Sequence, residues 1–398
     1  MSPRDSNPAQ SAVSDRRALW ALLAGNFVIG TGVLLPAGMM NDLVRDLGVS
    51  VSQGGGLIWA GAIVIGISAP LIAAVTSEVD RRLLLVGSLF LYVVGHALSA
   101  LSLNYETLLA VRVVTTLSAG VFTPQAAATV GLLLPPERCG AAITFIFLGW
   151  SIANVLGMPM GSLIGATLGW RAAYGILAVL SLIAAAGVWW GVPPALRVQR
   201  LSLASWKGVF LSPVLVLVLL VTVASLSGQF ALFTYIAPVL KESLAAAPAT
   251  IALLLAWAGF WGVTGNSLAA RISGRLGVAG AILVFMLCMA TGLTLWPLGH
   301  GSVALTMLAM AVWAFGTFAG NSLQQARLMG IAPPLASASI ALNTSGIYIG
   351  QAVGAALGGL LVSAGRLDLL SWAGVVFMLL AIACSVAAAW LTGQRQGP

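Results

Sequence analysis

The sequence predicts an all-α polytopic membrane protein, with twelve transmembrane helices in two pseudo-symmetric six-helix bundles. Three observations carry that expectation. Of the 398 residues, 60% are apolar and only 7% charged, where soluble domains average about 25% charged. Apolar stretches long enough to cross a bilayer, roughly 20 residues each, recur twelve times. A spacing of glycines and prolines in the first half returns in the second. No water-soluble packing hides that much apolar surface, so lipid is the solvent for most of the chain. A soluble enzyme is thereby excluded.

The spans fall near 17–40, 54–77, 82–103, 107–134, 139–167, 172–193, 210–240, 248–270, 276–298, 302–330, 336–365 and 369–392. The runs are continuously apolar and do not alternate, so they read as helices and not as barrel strands. Span one follows a polar tail, residues 1–16. It is too long for a signal-peptide core and lacks a small-residue cleavage site, so it reads as retained. The longest polar interruption, Pro193 to Lys207, divides the spans six and six. The expected organisation is a tail (1–16), a first bundle (17–193), a linker (194–209), a second bundle (210–392) and a short tail (393–398). The linker alternates Arg197, Arg200 and Lys207 with Leu201, Leu203 and Trp206, a pattern that lies partly on a membrane surface.

The net charge of +8 is an orientation signal. With both termini cytoplasmic, thirteen Lys/Arg fall inside and four outside, leaving Arg112 within span four. That is the positive-inside pattern. No basic cluster exceeds a pair, which argues against nucleic acid. Cys139, Cys288 and Cys384 are isolated, and His96 and His300 are the only histidines, so neither a disulfide framework nor a zinc site is expected. No cofactor is expected, and no acid pair, nucleophile triad or Walker loop points to catalysis.

Span five carries Gly157, Gly161 and Gly165, and span eleven carries Gly350, Gly354 and Gly358, a repeat offset by 193 positions. Pro135-Pro136 and Pro333-Pro334 precede those spans. Glycines at every fourth position line one helix face and admit a neighbouring backbone. Two repeated bundles with a midplane site between them is the architecture of many secondary transporters.

Arg112 is the one charge well inside a span, on a face shared with Thr116, Gly120 and Thr123. A guanidinium there costs about 3 kcal/mol or more unless it meets protein or water. Two roles meet that cost: holding an anion or coupling to protons, or fastening helices through backbone carbonyls. Span ten presents Trp313, Thr317, Asn321 and Gln324, with Gln325 beside them. Span seven offers Gln229 and Tyr235, span eight Trp257, and span eleven Asn343, Tyr348 and Gln351. In the first half Asn26, Gln125 and Asn154 complete a set of candidate substrate contacts that includes Arg112. Scattered amides with aromatic walls suit a small-molecule site, although each amide equally serves as helix–helix glue. All ten acids lie in tails, loops or span ends, which favours neutral or anionic substrates over cations. Asp42, at the end of span one, is the nearest candidate proton carrier, and His96 reads as a satisfied structural histidine.

These features resemble the major facilitator superfamily, and within it the drug:proton antiporter-1 group of arabinose-efflux-like and chloramphenicol-efflux-like permeases. The loop after span two reads Ala69-Pro70-Leu71 through Asp80-Arg81-Arg82, similar to that group's loop signature, with Ser77 and Glu78 where the general signature has Asp and Arg. Arg112 with Gly120 looks like the span-four motif, whose arginine is implicated in proton coupling. Gly149 through Gly157-Met158-Pro159-Met160-Gly161 is similar to the span-five antiporter motif at the bundle interface. Many members carry an acid in span one, whereas here the stretch reads Gly30-Thr31-Gly32-Val33. The resemblance implies a monomeric, inner-membrane efflux permease that exchanges a small molecule for protons by alternating access. An uptake symporter or facilitator on the same fold is the alternative, and a non-transporting sensor or scaffold a distant third. Asp80, Arg81, Arg82, Gly157, Pro159, Gly161, Gly350, Gly354 and Gly358 are the expected gating and packing residues.

Overall fold

The computed structural model describes residues 8–76, 78–197 and 203–395. Arg4, Ser77, Arg200 and Leu201 lie outside the described residues, as do the ends of both tails. Every regular element among the described residues is helical. Span one is α1 (Pro8–Gly38) continued by α2 (Met40–Leu47), and spans two to four are α3 (Val51–Val75), α4 (Arg81–Leu101) and α5 (Tyr105–Leu133). Span five is α6 (Pro136–Ile152) and α7 (Met158–Leu168), joined by a π-helical turn at Ala153–Gly157, and span six is α8 (Trp170–Gly191). After the linker helix α9 (Leu203–Phe210) come α10 (Pro213–Phe233), α11 (Ile236–Leu244), α12 (Pro248–Leu295), α13 (Val303–Thr317), α14 (Ala319–Ile331), α15 (Ala336–Ser363) and α16 (Leu370–Arg395).

Helix ends follow local chemistry. Ser50 and Gln53 form a reciprocal capping box at α3, Asn104 caps α5 through the Thr107 amide at 2.9 Å, and Pro136, Pro213 and Pro248 open α6, α10 and α12. α12 is too long for one crossing. Gly277 (φ 70°, ψ 166°) breaks it, a backbone conformation that a side chain would strain. The chain folds back there. Gly265 touches Phe315 and Gly292 touches Trp313, so both arms meet α13, and the Gly301 amide bonds the Ser243 carbonyl at 2.9 Å beside the arm's start. The two arms are spans eight and nine, so that eleven long apolar helices make twelve crossings among the described residues.

The halves share construction details beyond glycine spacing. Met39 (φ −110°, ψ 24°) breaks span one, and Tyr235 (φ −110°, ψ 18°) breaks span seven 196 positions later. Both spans then end on a left-handed residue, Gly48 in one and Ala245 in the other. Gly157, Gly161 and Gly165 pack on Thr31, Leu35 and Met39 of span one. Gly350, Gly354 and Gly358 pack on the backbone of Val223, Ser227 and Ala231 of span seven. Pro159 is buried in the same face of α7. The halves meet through α3 against α15 and through α7 and the π-helical turn against α12. The belt facing outward is apolar, with Phe90, Ile183, Leu253 and Val376 exposed, as a lipid-solvated surface requires.

One end of the bundle, here the linker face, carries Arg81, Arg82 and the linker. Asp80 caps α4 by accepting from the Arg82 amide at 2.8 Å and also accepts from the Ala195 amide. The Arg81 amide donates to the Leu196 carbonyl, and the Arg82 guanidinium lies 4.0 Å over Trp189. α9 packs beneath the second half, with Gly208 against Leu335 and Val209 fully buried. At the opposite end, the far face, Asp46 accepts from Trp170 Nε1 at 2.7 Å and from Arg171, which also donates to the Ser102 carbonyl at 3.0 Å. These hydrogen bonds hold the Asp46 carboxyl below its usual range.

Two outcomes follow. Gly354→Ala puts a methyl 2.2 Å from the Ser227 carbonyl oxygen, whereas Gly175 faces open space. Gly354→Ala should lose about 1–3 kcal/mol and lower the melting temperature in detergent, with Gly175→Ala unchanged or slightly more stable. Because the Asp46 pKa is lowered in the folded state, its stabilisation is present above the unfolded value and is lost as pH falls through the folded one. Asp46 is about half exposed, 48%, so Asp46→Asn should cost at most about 1 kcal/mol near neutral pH. That deficit should begin to shrink in melts taken below about pH 4 and close progressively at lower pH.

Candidate functional site

A polar network in the second half is built from α10, α14 and α15, with Asn321 and Gln325 half-buried and Thr222, Gln324 and Asn343 buried behind them. Asn321 and Gln325 stand one turn apart on α14, and Gln325 Nε2 donates to Asn321 Oδ1 at 3.3 Å. Asn343 Nδ2, from α15, reaches the same oxygen at 3.4 Å. Thr222, from α10, donates to Asn343 Oδ1 at 2.6 Å, and Gln324 Nε2 donates to the Val218 carbonyl at 3.1 Å. Among the described residues, the Asn321 amide nitrogen and Gln325 Oε1 have no partner in this network. A donor and an acceptor therefore stand side by side, with no carboxylate in any of the three helices that build the network. That arrangement suits hydroxyl, carbonyl or amide groups of a neutral ligand. Ser322 and Asn266 of α12 extend the polar strip through a 3.3 Å bond. Trp257, stacked among Phe260 and Trp261, anchors its Nε1 on the Met307 carbonyl at 2.9 Å.

The first half supplies a shorter chain. Trp150 Nε1 donates to Thr123 (3.3 Å), Thr123 to Asn26 Oδ1 (3.0 Å), and Asn26 Nδ2 to the Ile146 carbonyl (3.1 Å). Asn26 is wholly enclosed and ties α1, α5 and α6 together, while Thr123 and Trp150 stay half-buried. Asn154, in the π-helical turn, is half-buried, donates to the Trp150 carbonyl and lies against Gly259 of α12. Gln125 is buried and accepts from Arg81, which also donates to the Thr76 carbonyl.

Arg112 is 2% exposed. Its Nη1 donates to the Gly32 carbonyl on α1 at 3.0 Å, its guanidinium carbon lies 5.8 Å from the Tyr174 ring, and its Nε has no partner. His96 sits in the same enclosure, stacked on Tyr174 and edge-on to Tyr92. It was expected to be a satisfied structural histidine, yet neither ring nitrogen has a hydrogen-bond partner. The aromatic rings that bury it carry no acceptor at the right place.

Tyr235 and Tyr348 lie where the halves meet. Tyr235 donates to the Ala355 carbonyl at 2.8 Å, and its ring and hydroxyl fill a socket made by Gly55 of α3 with Gly358 and Gly359 of α15. Ser52 donates to the Gly359 carbonyl across the halves at 2.8 Å. These groups close the far face. Tyr348, from α15, is buried in the core of the first half. Gln229 and Gln351 are buried in α10 and α15, and Asp42 accepts from Arg45 at 2.8 Å on the far-face helix α2. The sequence-expected contacts thus divide among an amide network, a helix-tying chain, an enclosed cation and a far-face seal. Sequence reasoning missed the seal and the tyrosines around Arg112; the run Gly54-Gly55-Gly56 at the start of span two was the available signal.

The Major Facilitator Superfamily model matches residues 22–339, most of the chain. The chain belongs to the Major Facilitator Superfamily. It is 30% identical over 347 residues to the inner membrane transport protein YdhP of Escherichia coli, covering 87% of this chain and 89% of that one. It is 33% identical over 282 residues to a chloramphenicol resistance protein of Streptomyces lividans (67% and 70% covered). It is 27% identical to a probable sugar efflux transporter of Pasteurella multocida (95% and 93%). The fold matches a bacterial homologue of the human lysosomal transporter Spinster in an inward-facing, occupied conformation, with TM-score 0.72, 17% identity, and 96% and 97% covered. The protein is a multi-pass membrane transporter with a small-molecule substrate, as the superfamily's members are.

The seal makes a direct prediction. A methyl on Gly55 would stand 2.0 Å from the Tyr235 hydroxyl. Gly55→Ala should expose a cysteine placed at Ile58, buried in the adjoining core, to a membrane-impermeant maleimide applied from the far face, while the parent chain stays protected.

Proposed function

We propose that this transporter exports a small neutral or anionic organic molecule, sugar-, metabolite- or drug-like, across a bacterial inner membrane in exchange for protons. The uncharged amide network of Asn321, Gln325 and Asn343, in a chain with no carboxylate inside a span, is the observation that carries this reading. A cation would find no counter-charge there, whereas hydroxyls and carbonyls find a matched donor and acceptor. The linker face, with its basic residues, is then cytoplasmic and both termini lie inside. The bundles 17–193 and 210–392 rock about the site as one chain, with the far-face seal of Tyr235, Gly55 and Ser52 closed when substrate loads from within. Export is supported by relatives named for chloramphenicol resistance and sugar efflux. Trp257 supplies an apolar wall, Arg112 acts in coupling, and the loop of Asp80, Arg81 and Arg82 steadies the linker face.

Purified protein is first screened by thermal shift with chloramphenicol, L-arabinose, nucleosides and organic anions, since a specific ligand raises the melting temperature. Inside-out vesicles with an acid interior should then accumulate the stabilising compound. Gradient-independent equilibration instead identifies a facilitator, and accumulation with the opposite gradient a symporter. Asn321→Ala removes hydrogen bonds worth about 1–2 kcal/mol and should raise the half-saturating concentration about 5–30-fold. Arg112→Ala should abolish accumulation in protein that still melts cooperatively; normal accumulation would overturn its coupling role.

A further inference from the structure

Antiport needs a group inside the membrane that binds a proton in one conformation and gives it up in the other. The carboxylates of this chain all lie at tails, loops or span ends. One side chain inside a span titrates ordinarily near neutral pH, and that is His96.

Its surroundings are specific. His96 stands five residues from the far end of α4, Arg112 seven from the far start of α5, and Tyr174 four from the far start of α8. All three therefore lie within about 10 Å of the far-face helix ends. The imidazole is 0% exposed, and both nitrogens lack partners, so a proton can be added without breaking an existing bond. The groups facing it are Tyr92 on its own helix, Tyr174 from α8 and Arg112 from α5, with Thr115 of α5 packed against the adjoining Gly95. Tyr348 from α15 acts on Tyr92. α1 presents only backbone: Gly32, whose carbonyl holds Arg112, and Ile29, whose carbonyl accepts from Tyr92 at 2.9 Å. Among the described residues, Arg112 is the one charge that acts on the imidazole, and no carboxylate does.

We propose that His96 is the proton-carrying group of this transporter and that Arg112 is the fixed charge that ties its protonation to opening of the far face. The proposal rests on the reading of the chain as proton-driven. With the seal closed, a proton on His96 makes a second cation in a dry enclosure beside Arg112, and like charges in low dielectric repel strongly. Opening the far face hydrates both. The route from cluster to seal is α1, held to the cluster by the Arg112–Gly32 and Tyr92–Ile29 bonds. Its far end, Leu34 and Ala37, shares a core with Ile236 and Leu240 of α11. In the open state a hydronium ion of the external water gives its proton to an imidazole lone pair, so that one O–H bond breaks and one N–H bond forms. Closure beside Arg112 reverses the exchange, the N–H bond breaking as a water on the linker side takes the proton.

The test needs no substrate, so a wrong substrate class or transport direction leaves its outcome readable. Spin labels go at Glu106 and Glu242, exposed on α5 and α11 at the far face, in a chain with Cys139, Cys288 and Cys384 replaced by serine, in lipid nanodiscs. Lowering the pH between about 8 and 5 should shift the distance distribution to longer values. His96→Gln and His96→Asn should each abolish that shift, and Tyr174→Phe should retain it. With His300→Gln, His96 is the one remaining imidazole, so its ¹⁵N resonances should move over the same pH interval as the distances. A distance that ignores pH in the parent, a shift that survives both histidine variants, or imidazole resonances that stay fixed would each overturn the proposal. If one histidine variant fails to fold, the other variant and the imidazole spectrum still decide it.

Discussion

Lipid offers no hydrogen bonds, so every polar group inside this bundle must find its partner in the protein. That constraint orders the whole structure. Serine and threonine hydroxyls turn back on their own helices, as Thr31 does on the Phe27 carbonyl and Ser99 on the Gly95 carbonyl. Longer side chains reach across and become the ties between helices: Asn26 to Ile146, Tyr92 to Ile29, Tyr235 to Ala355, Arg327 to Ser385. A group with nothing to reach stands out, because water is absent to excuse it. Arg112 Nε and both nitrogens of His96 are such groups, and they share one enclosure.

The two halves repeat one construction with different chemistry in it. A broken span, one and seven, lies under a glycine-striped span, five and eleven, in each half. In the first half the glycines receive side chains of span one, whereas in the second they meet the backbone of span seven directly. The closer packing in the second half leaves its polar groups in a lateral network of neutral amides. Each half also encloses a cation, Arg112 in the first and Arg327, bonded to Ser385 of α16, in the second. Arg112 differs in lying beside an imidazole whose two nitrogens have no partner.

Most of the fold was legible because the membrane makes length and hydropathy nearly sufficient. Eleven long apolar helices are evident by length and composition, and the twelfth appears once Gly277 is seen to turn the chain. The π-helical turn was not legible, because one extra residue in a turn leaves a lipid-length apolar run intact. The site was less legible. Asn321, Gln325 and Asn343 were visible as polar residues on lipid-length helices, and they do converge. Periodicity on one helix says nothing about which partner helix it faces, so Tyr235 and Asn26 could not be told apart from ligand contacts. For the same reason His96, read as a satisfied structural histidine, gave no sign of Tyr174 or Arg112 beside it.

The seal shows why small residues and conformational change belong together. Tyr235 fits a socket of Gly55, Gly358 and Gly359 with one hydrogen bond to Ala355 and one cross-half bond beside it, from Ser52 to Gly359. A closure built on shape weakens as the helices separate, since a gap of about 0.5–1 Å already forfeits a quarter to a half of the dispersion contact. A closure built on buried ion pairs would resist opening, because each charge would be left unpaired in low dielectric. Within the first half the fixed charge is kept off the seam, on Arg112, whose bond to the Gly32 carbonyl ties it to α1. On the proposed scheme a change of one unit charge beside Arg112 selects between two packings of a seam held by shape and two hydrogen bonds to carbonyls.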